Sequence, residues 1–321
     1  MRIIDLHCDT MARLHKDKSA TILANDFSVD LNKLKKGQVD TQFFAMFLNL
    51  EKIQESGEEP YPYLLDFYKT VDLALKSAKT TLNKATNMDD VEQNRQDNTI
   101  SAILTIEEGG FLQGDICRLD QAYDMGVRLI TLTWNYENCI GFPNYKDPAI
   151  MDKGLKPFGF EVVEAMNEKG MIVDVSHLSD GGFFDCIRHS KKPVIASHSN
   201  CRALTNVTRN MTDDMIRLLA DKGGVMGLNF APMFLGPDQT SRVDDMVAHV
   251  LHMKNVGGED VLALGSDFDG IGGVLEIDSS GDLMRLVEAL GRSGMSDTTL
   301  EKFCWRNAQR VMEDCLGNVE E

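Results

Sequence analysis

The chain has 321 residues, of which 43% are hydrophobic and 26% charged, a composition typical of a globular protein with a substantial core. Its 50 acidic residues outnumber 33 basic ones and give a formal net charge of -17, which disfavours nucleic-acid partners and anionic lipid surfaces. No apolar run approaches the roughly 18 residues of a membrane span, so we expect neither a membrane nor a nucleic acid as partner.

The cysteines point to a reducing compartment. There are 7 of them, an odd number, and they are scattered without any C-x-x-C pair. This pattern argues against a disulfide scaffold and against a structural zinc knuckle. The N-terminus reaches an acidic residue before an apolar leader can form. We therefore expect a cytoplasmic protein.

Short apolar runs rich in β-branched residues recur along the chain, each followed by a polar turn and a segment with helical periodicity. We count eight such runs, at residues 2–6, 41–48, 101–106, 128–133, 171–175, 193–196, 224–230 and 261–265. Apolar residues three and four apart predict amphipathic helices at 213–222, 244–256 and 282–290. Continuous apolar strands alternating with helices are typical of a parallel sheet buried on both faces. Eight such units predict an α/β fold, a closed (β/α)8 TIM-like barrel.

Two stretches extend this minimal barrel. Residues 61–85 read as one long helix followed by the polar segment 86–98, which predicts a helical insertion after strand two. Residues 299–316 predict an extra C-terminal helix. Because no linker-like composition interrupts the chain, we expect one barrel domain over residues 1–321. The insertion offers a surface for a homodimer, with a solvated or core-packed helix as the default interpretation.

Chemically versatile side chains follow several of the predicted strands. In a parallel barrel the C-terminal ends of all strands open onto one face, where active sites lie. The groups at these ends are His7 and Asp9 after strand one, Glu107 and Glu108 after strand three, His177 after strand five, His198 after strand six, and Asp267 and Asp269 after strand eight.

Five of these residues are candidate ligands of divalent cations. His7 and Asp9 stand two apart on a strand and project to the same side, so they can bind one ion together. Glu108 precedes two glycines that allow a sharp turn, and its two oxygens can bridge two ions. His177 and His198 each end an apolar run. Singly, each is as well explained by a capped strand end, a loop acid or a core histidine, but their shared location predicts a two-metal hydrolytic site.

The motifs at these strand ends resemble, in order and spacing, those of the membrane dipeptidase (renal dipeptidase) family of zinc metallopeptidases. They read D-L-H-C-D at 5–9, E-G-G at 108–110, D-V-S-H at 174–177, S-H-S at 197–199, R-N at 209–210 and G-S-D-F-D-G at 265–270. The resemblance implies a zinc-dependent dipeptidase on a TIM-like barrel. Its substrates would be small dipeptides, including those with a D-residue at the C-terminal side.

The resemblance also implies a role for each residue. The first zinc ion would be held by His7 and Asp9, the second by His177 and His198, and Glu108 would bridge both. Two such ions lower the pKa of a shared water and polarise the peptide carbonyl. Asp267 would take the proton of that water and return it to the departing amine. Arg209 would bind the substrate carboxylate through its planar guanidinium, with an ordinary surface arginine as the alternative.

One position departs from the family pattern. Better-known mammalian members carry a histidine directly after a T-L-T run at strand four, whereas Trp134 follows residues 131–133 here. We expect Asn135 or Tyr136 to supply the missing hydrogen bond to the substrate, unless the metals suffice. This departure leaves the substrate range open.

Two other functions are compatible with the same residues. A metal-dependent barrel can hydrolyse a lactam, an amide or a phosphoester instead of a dipeptide, because one fold hosts many chemistries. A metal-binding homologue impaired in catalysis would also lack the strand-four histidine. Sets of histidine and carboxylate ligands accept manganese or cobalt as well as zinc.

Overall fold

A ring of eight parallel strands forms the centre of the computed structural model, which describes residues 1–317. In chain order the strands are β1 (Ile3–Cys8), β2 (Val39–Phe47), β3 (Leu82–Lys84), β4 (Ile100–Glu107), β5 (Val127–Thr131), β6 (Ile172–Asp174), β7 (Val194–Ala196), β8 (Val225–Leu228), β9 (Thr240–Ser241), β10 (Leu262–Leu264) and β11 (Val274–Leu275). The ring runs β1, β2, β4, β5, β6, β7, β8, β10 and back to β1. The predicted barrel is confirmed.

Helices cover the outside of this ring. They are α1 (Thr10–Lys16), α2 (Leu31–Lys36), α3 (Leu50–Glu55), α4 (Pro60–Ala78), α5 (Met88–Gln96), α6 (Cys117–Asp124), α7 (Pro148–Met151), α8 (Pro157–Lys169), α9 (Asp180–His189), α10 (Asp213–Asp221), α11 (Pro232–Leu235), α12 (Val243–Gly257), α13 (Met284–Arg292), α14 (Asp297–Glu301) and α15 (Asn307–Leu316). The three amphipathic helices predicted beyond residue 212 correspond to α10, α12 and α13. Over residues 1–317, none of the helices has the length and apolar character needed to cross a membrane.

The insertion after β2 differs from its prediction. We predicted one helix over 61–85, but α4 ends at Ala78 and β3 follows it. β5 pairs with β4 only from Leu104 onward, so the first residues of β4 have an uncovered edge, and Leu82 pairs there with Ile100. An open strand edge favours a further strand over a continued helix. The polar segment 86–98 contains α5, whose start is capped by Asn87 accepting a hydrogen bond from the Asp90 N–H.

An apolar layer fills the barrel beneath its C-terminal face. Each strand of the ring contributes to one cluster, which contains Ile4, Leu6, Phe43, Ile103, Leu129, Ile172, Ile195, Val225 and Ala263. Side chains of α15 join the same cluster, including Val311 and Met312. The extra C-terminal helix is thus confirmed, as α14, a π-helical turn (Lys302–Arg306) and α15, and it packs against the end of the barrel opposite the polar strand ends.

His249 on α12 connects two loops on the outer side of the barrel. Its Nδ1 accepts a hydrogen bond of 3.0 Å from the Cys201 N–H, and its Nε2 donates to the Leu235 carbonyl at 2.9 Å. These bonds require the neutral ring with its proton on Nε2, because a proton on Nδ1 would face another donor. Burial lowers the pKa of His249 below its ordinary value of 6.5.

We predict that His249 makes the protein less stable in acid. Because its folded pKa lies below the unfolded value of 6.5, stability that is fully present above that pH is lost as the pH falls towards the folded pKa. One group of this kind costs at most about 1.4 kcal/mol per pH unit. Urea unfolding between about pH 7 and about pH 5.5 should show a smaller loss for H249Q, whose amide does not titrate. Parallel losses in both proteins would contradict this assignment.

Candidate metal centre

Six side chains from five strand ends meet at the C-terminal mouth of the barrel. They are His7 and Asp9 at the end of β1, Glu107 at the end of β4, His177 after β6, His198 after β7 and Asp267 after β10. None is more than 9% exposed. They form three overlapping groups in which candidate ligand atoms lie within 4.8 Å of one another. We call these six residues the mouth cluster.

The carboxylate of Glu107 stands between two halves of the mouth cluster. Its Oε2 lies 3.5 Å from His7 Nε2, which is itself 3.4 Å from Asp9 Oδ2. Its Oε1 lies 3.1 Å from His177 Nε2 and 3.7 Å from His198 Nε2. Each oxygen therefore faces a different pair of candidate ligands, as a carboxylate that bridges two cations would.

The orientation of two histidines fits metal ligation. His177 Nδ1 lies 3.0 Å from Asn135 Oδ1, and His198 Nδ1 lies 2.7 Å from Ser197 Oγ. The Ser197 hydroxyl donates to Asp174, so it accepts from His198. Both rings then carry their proton on Nδ1, which leaves the two Nε2 lone pairs facing each other at 3.0 Å. Facing lone pairs repel, and a cation that binds both removes the repulsion.

The protonation states of the mouth cluster also favour the binding of cations. Burial, with the neighbouring Asp9 charge adding to it, raises the pKa of Glu107 to about 7. Burial likewise raises the pKa of Asp267 to about 7. It lowers the pKa of His177 and of His198 well below the ordinary range, so these rings are neutral, as metal ligands must be.

His7 is the exception among the histidines. Burial lowers its pKa, but the carboxylates of Asp9 and Glu107 outweigh that effect and leave the pKa well above its ordinary value. Neither of its ring nitrogens has a hydrogen-bond partner within residues 1–317. A buried imidazole with unpartnered nitrogens beside two carboxylates is the donor set that a divalent cation such as zinc prefers.

The structure corrects the position of the acidic ligand. We predicted Glu108 at the metal bridge, but its carboxylate points away from the mouth cluster and accepts hydrogen bonds from the Gly110 N–H at 2.6 Å and the Trp134 N–H at 2.9 Å. The Asn138 side-chain amide donates to the same carboxylate. Burial raises the pKa of Glu108 to about 7. Glu108 thus stabilises the loop after β5, and Glu107, not Glu108, lies between the two halves of the mouth cluster.

Strand alternation explains why Glu107 faces inward. Ile103 on β4 belongs to the cluster inside the barrel, whereas Leu104 and Ile106 belong to the layer under the helices. Residues two apart on a strand share a face, so Glu107 points inward with Ile103. This signal was present in the sequence, but an unbroken apolar run does not reveal which of its faces lies inside the barrel.

Sequence reasoning also missed the residues that position the mouth cluster. Asp174 Oδ2 accepts hydrogen bonds of 2.6 Å from both the Thr131 and the Ser197 hydroxyls, which ties β6 to its neighbours on either side. Asp5 accepts from the Ser266 hydroxyl at 2.6 Å and from its N–H at 2.8 Å, which ties β1 to the end of β10. These buried carboxylates hold the ends of adjacent strands in register directly below the candidate ligands.

Asp267 lies where a proton-transfer group is expected. Asn229 donates a hydrogen bond of 2.8 Å to its Oδ2, which fixes the carboxylate plane. The other oxygen, Oδ1, lies 3.9 Å from His7 Nε2 and faces the mouth cluster. Asn229 had no assigned role in the sequence, since a lone asparagine at a strand end carries no distinctive spacing.

A cavity of about 310 Å³ opens over the mouth cluster, near the lower end of the range for small-molecule sites. Its lining includes Asp9, Glu107, His177 and Asp267. A second cavity of about 490 Å³ lies between α1 and α4, on the outer side of the barrel, and no histidine lines it. The cavity over the mouth cluster is therefore the candidate substrate site.

The three predicted substrate-binding residues lie in different places relative to the cavity. Asn135 lines the cavity and contacts His177. Tyr136 does not line the cavity: its ring packs edge to face against Trp134 and its hydroxyl interacts with Glu51, so its role at the substrate stays a prediction. Arg209 is buried behind His198, where it donates to the His198 carbonyl and to Ser199 Oγ, both at 2.7 Å, and it does not line the cavity.

A family model described as membrane dipeptidase (peptidase family M19) matches residues 1–319. The chain belongs to this family. An uncharacterized dipeptidase of Schizosaccharomyces pombe is 30% identical over 333 residues. The match covers 97% of this chain and 79% of the S. pombe protein. An uncharacterized protein in the pqqA 5' region of Klebsiella pneumoniae is 36% identical over 235 residues. That match covers 70% of this chain and 86% of the Klebsiella protein.

Solved structures agree with this assignment. The dipeptidase AC, a metallopeptidase of family M19, superposes with a TM-score of 0.89 at 25% identity and with 99% of both chains covered. A metallopeptidase from Rhodobacter sphaeroides, solved with a phosphinate mimic of the dipeptide L-Ala-D-Ala, has a TM-score of 0.88 at 23% identity, with 98% and 99% of the two chains covered. The protein is a metal-dependent dipeptidase, and the family resemblance of the sequence is confirmed.

We predict that substitution of the two adjacent glutamates has opposite effects on metal binding. E107Q removes the charge of a carboxylate that directs one oxygen to each half of the mouth cluster, so metal affinity should fall at least about tenfold. E108Q should retain its metal and lose stability instead, because Glu108 bonds only the loop around it. Metal analysis after equilibrium dialysis, with urea unfolding of the same samples, separates the two. Metal loss in E108Q with retention in E107Q would restore the original prediction.

Proposed function

We propose that this dipeptidase uses two zinc ions, bound by His7 and Asp9 on one side and by His177 and His198 on the other. The observation that carries the proposal is the Glu107 carboxylate, which directs one oxygen to each side. When bound, the ions would lower the pKa of a shared water and polarise the scissile carbonyl. Manganese and cobalt fit the same ligand types, so the choice of zinc follows the family resemblance.

Side chains of the protein would carry out proton transfer and exclude water from the cavity. Asp267 Oδ1 faces the mouth cluster, and we assign to it the proton of the attacking water, which it would pass to the departing amine. Asn229 holds the opposite oxygen, so this carboxylate does not need to reorganise during the transfer. The rings of Phe47 and Trp134, with centroids 4.7 Å apart, form an apolar wall that excludes water from one side of the cavity.

Asn135 is the residue that best replaces the missing strand-four histidine. It lines the cavity, and its Oδ1 accepts from His177, so its amide N–H groups can donate to a substrate oxygen. Arg209 stays a predicted carboxylate ligand, and in the structure its Nη groups bond to Ser199 and His198 instead. We extend the proposed substrates to dipeptides with a C-terminal D-residue, on the family resemblance, and we propose that the protein works in the cytoplasm.

We predict that D267N binds two metal ions but hydrolyses dipeptides at least about 100-fold more slowly, because general acid–base transfer contributes about 10²–10⁴ in rate. The measurement is kcat and kcat/KM over a library of dipeptides with L- or D-residues at the C-terminal position, together with metal analysis. D278N is the matched control, since Asp278 is exposed and lies on the segment after β10.

Two results would contradict these assignments. Unimpaired turnover in D267N would remove Asp267 as the proton-transfer group. Metal-loaded wild-type protein that hydrolyses no dipeptide in the library would reject the proposed function and favour another scissile bond or an impaired homologue.

A further inference from the structure

One face of α1 leads from the mouth cluster to the cavity entrance. The cavity is lined by Asp9, Ala12, Arg13 and Lys16, which follow the i, i+3, i+4, i+7 spacing of a single helix face. At a rise of about 1.5 Å per residue, Arg13 lies about 6 Å and Lys16 about 10 Å along the helix from Asp9. An extended dipeptide spans about 7 Å, so a side chain that projects from it towards the cavity entrance would approach these two cations.

Within the described part of the chain, neither of these two cations forms a close ion pair, and the exposed Asp17 interacts with Arg13 only at longer range. Arg13 and Lys16 are exposed, and neither forms an ion pair with any residue of the described 1–317. The Arg13 guanidinium lies over the Phe27 ring, 4.7 Å from its centroid, which holds the side chain without neutralising it.

The acidic residues that line the cavity contact groups other than Arg13 and Lys16. Asp9, Glu107 and Asp267 belong to the mouth cluster. Asp269 accepts hydrogen bonds from the Thr10 hydroxyl at 2.6 Å and from the Ser28 N–H at 2.8 Å. α1 thus contributes two cations to the cavity lining, while the rings of Phe47 and Trp134 contribute an apolar surface. An asymmetric cavity of this kind distinguishes a charged substrate side chain from a neutral one.

We propose that Arg13 and Lys16 select dipeptides in which one residue has an acidic side chain. The inference rests on the proposed function and names the substrate class of the same site. The guanidinium fork and the ammonium group would donate charge-assisted hydrogen bonds to the side-chain carboxylate. The main-chain carboxylate of the substrate could bind the same two cations instead. Because every dipeptide carries a main-chain carboxylate, substrates that differ only in the side chain distinguish these two modes of binding.

The test compares acid and amide substrates of equal shape. The pairs are Ala-Asp with Ala-Asn, Ala-Glu with Ala-Gln, and the reversed sequences, each with L- and D-residues at the C-terminal position. The quantity measured is the ratio of kcat/KM for the acid to that for its amide, in wild type, R13Q, K16Q and the double variant. K79Q is the control, since Lys79 is also exposed and lies beyond the end of α4, outside the cavity lining.

We expect at least one pair in which wild type prefers the acid about tenfold or more, and we expect the double variant to lower that ratio about tenfold. K79Q should leave the ratio unchanged. A wild-type ratio near one for every pair would overturn the proposal. An equal fall of acid and amide rates in the double variant would overturn it too, since it would assign both cations to the main-chain carboxylate.

A binding measurement separates failure of this inference from failure of the proposed function. Two phosphinate mimics of one dipeptide, one with an acidic side chain and one with the carboxamide, are titrated into metal-loaded protein. Tighter binding of the acid mimic to wild type, lost in the double variant, supports the inference without any turnover. Absence of turnover on every dipeptide would count against the proposed function, and equal binding of the two mimics would count against the role of Arg13 and Lys16.

Discussion

Buried carboxylates and imidazoles that face one another at the mouth of the barrel require cations between them. Asp9, Glu107 and Asp267 are each at most 8% exposed, and unpaired charges in such a place cost several kcal/mol each. The charge of Arg209 offsets part of this cost at Asp267. The two divalent ions that we propose would remove the remainder, and they would also lie between the facing Nε2 atoms of His177 and His198. Bound cations would thus both stabilise the buried carboxylates and supply the chemistry of hydrolysis.

The scaffold concentrates backbone strain at this mouth. Seven non-glycine residues of the described chain have a positive φ, and four of them, Glu108, His177, Asp267 and Asp269, stand at the ends of barrel strands beside the cluster. Such conformations cost about 1–3 kcal/mol each and persist where the surrounding structure holds them. Here Asp5 and Asp174 supply that support, because Asp5 accepts hydrogen bonds from Ser266 and Asp174 accepts one from Ser197, each on an adjoining strand end. The ligands therefore project from a rigid rim below a cavity whose walls are formed by loops and α1.

Much of the fold followed from periodicity in the sequence. Apolar runs with intervening amphipathic helices were enough to predict the closed barrel, since a parallel strand buried on both faces has few alternatives. The insertion was harder, because Leu82 continues the helical spacing of α4 and only the uncovered edge of β4 makes it a strand. At the site, the histidines were found from their positions at strand ends. Glu107 was missed in favour of Glu108, since side-chain direction depends on which face of β4 lies inside.

The positioning residues could not be recognised from spacing. Asp174, Ser197 and Asn229 act through hydrogen bonds across neighbouring strands, and sequence distance does not record which strand ends meet. Arg13 and Lys16 were also hidden, because the sequence does not show that these two exposed cations line the cavity over the mouth cluster.

The most direct test of the account is anomalous diffraction at the zinc edge from crystals of zinc-reconstituted protein. We expect two peaks about 3.5–4 Å apart, one beside His7 and Asp9 and one beside His177 and His198, with the Glu107 carboxylate between them. A single peak, no peak, or two peaks joined by Glu108 instead of Glu107 would contradict it.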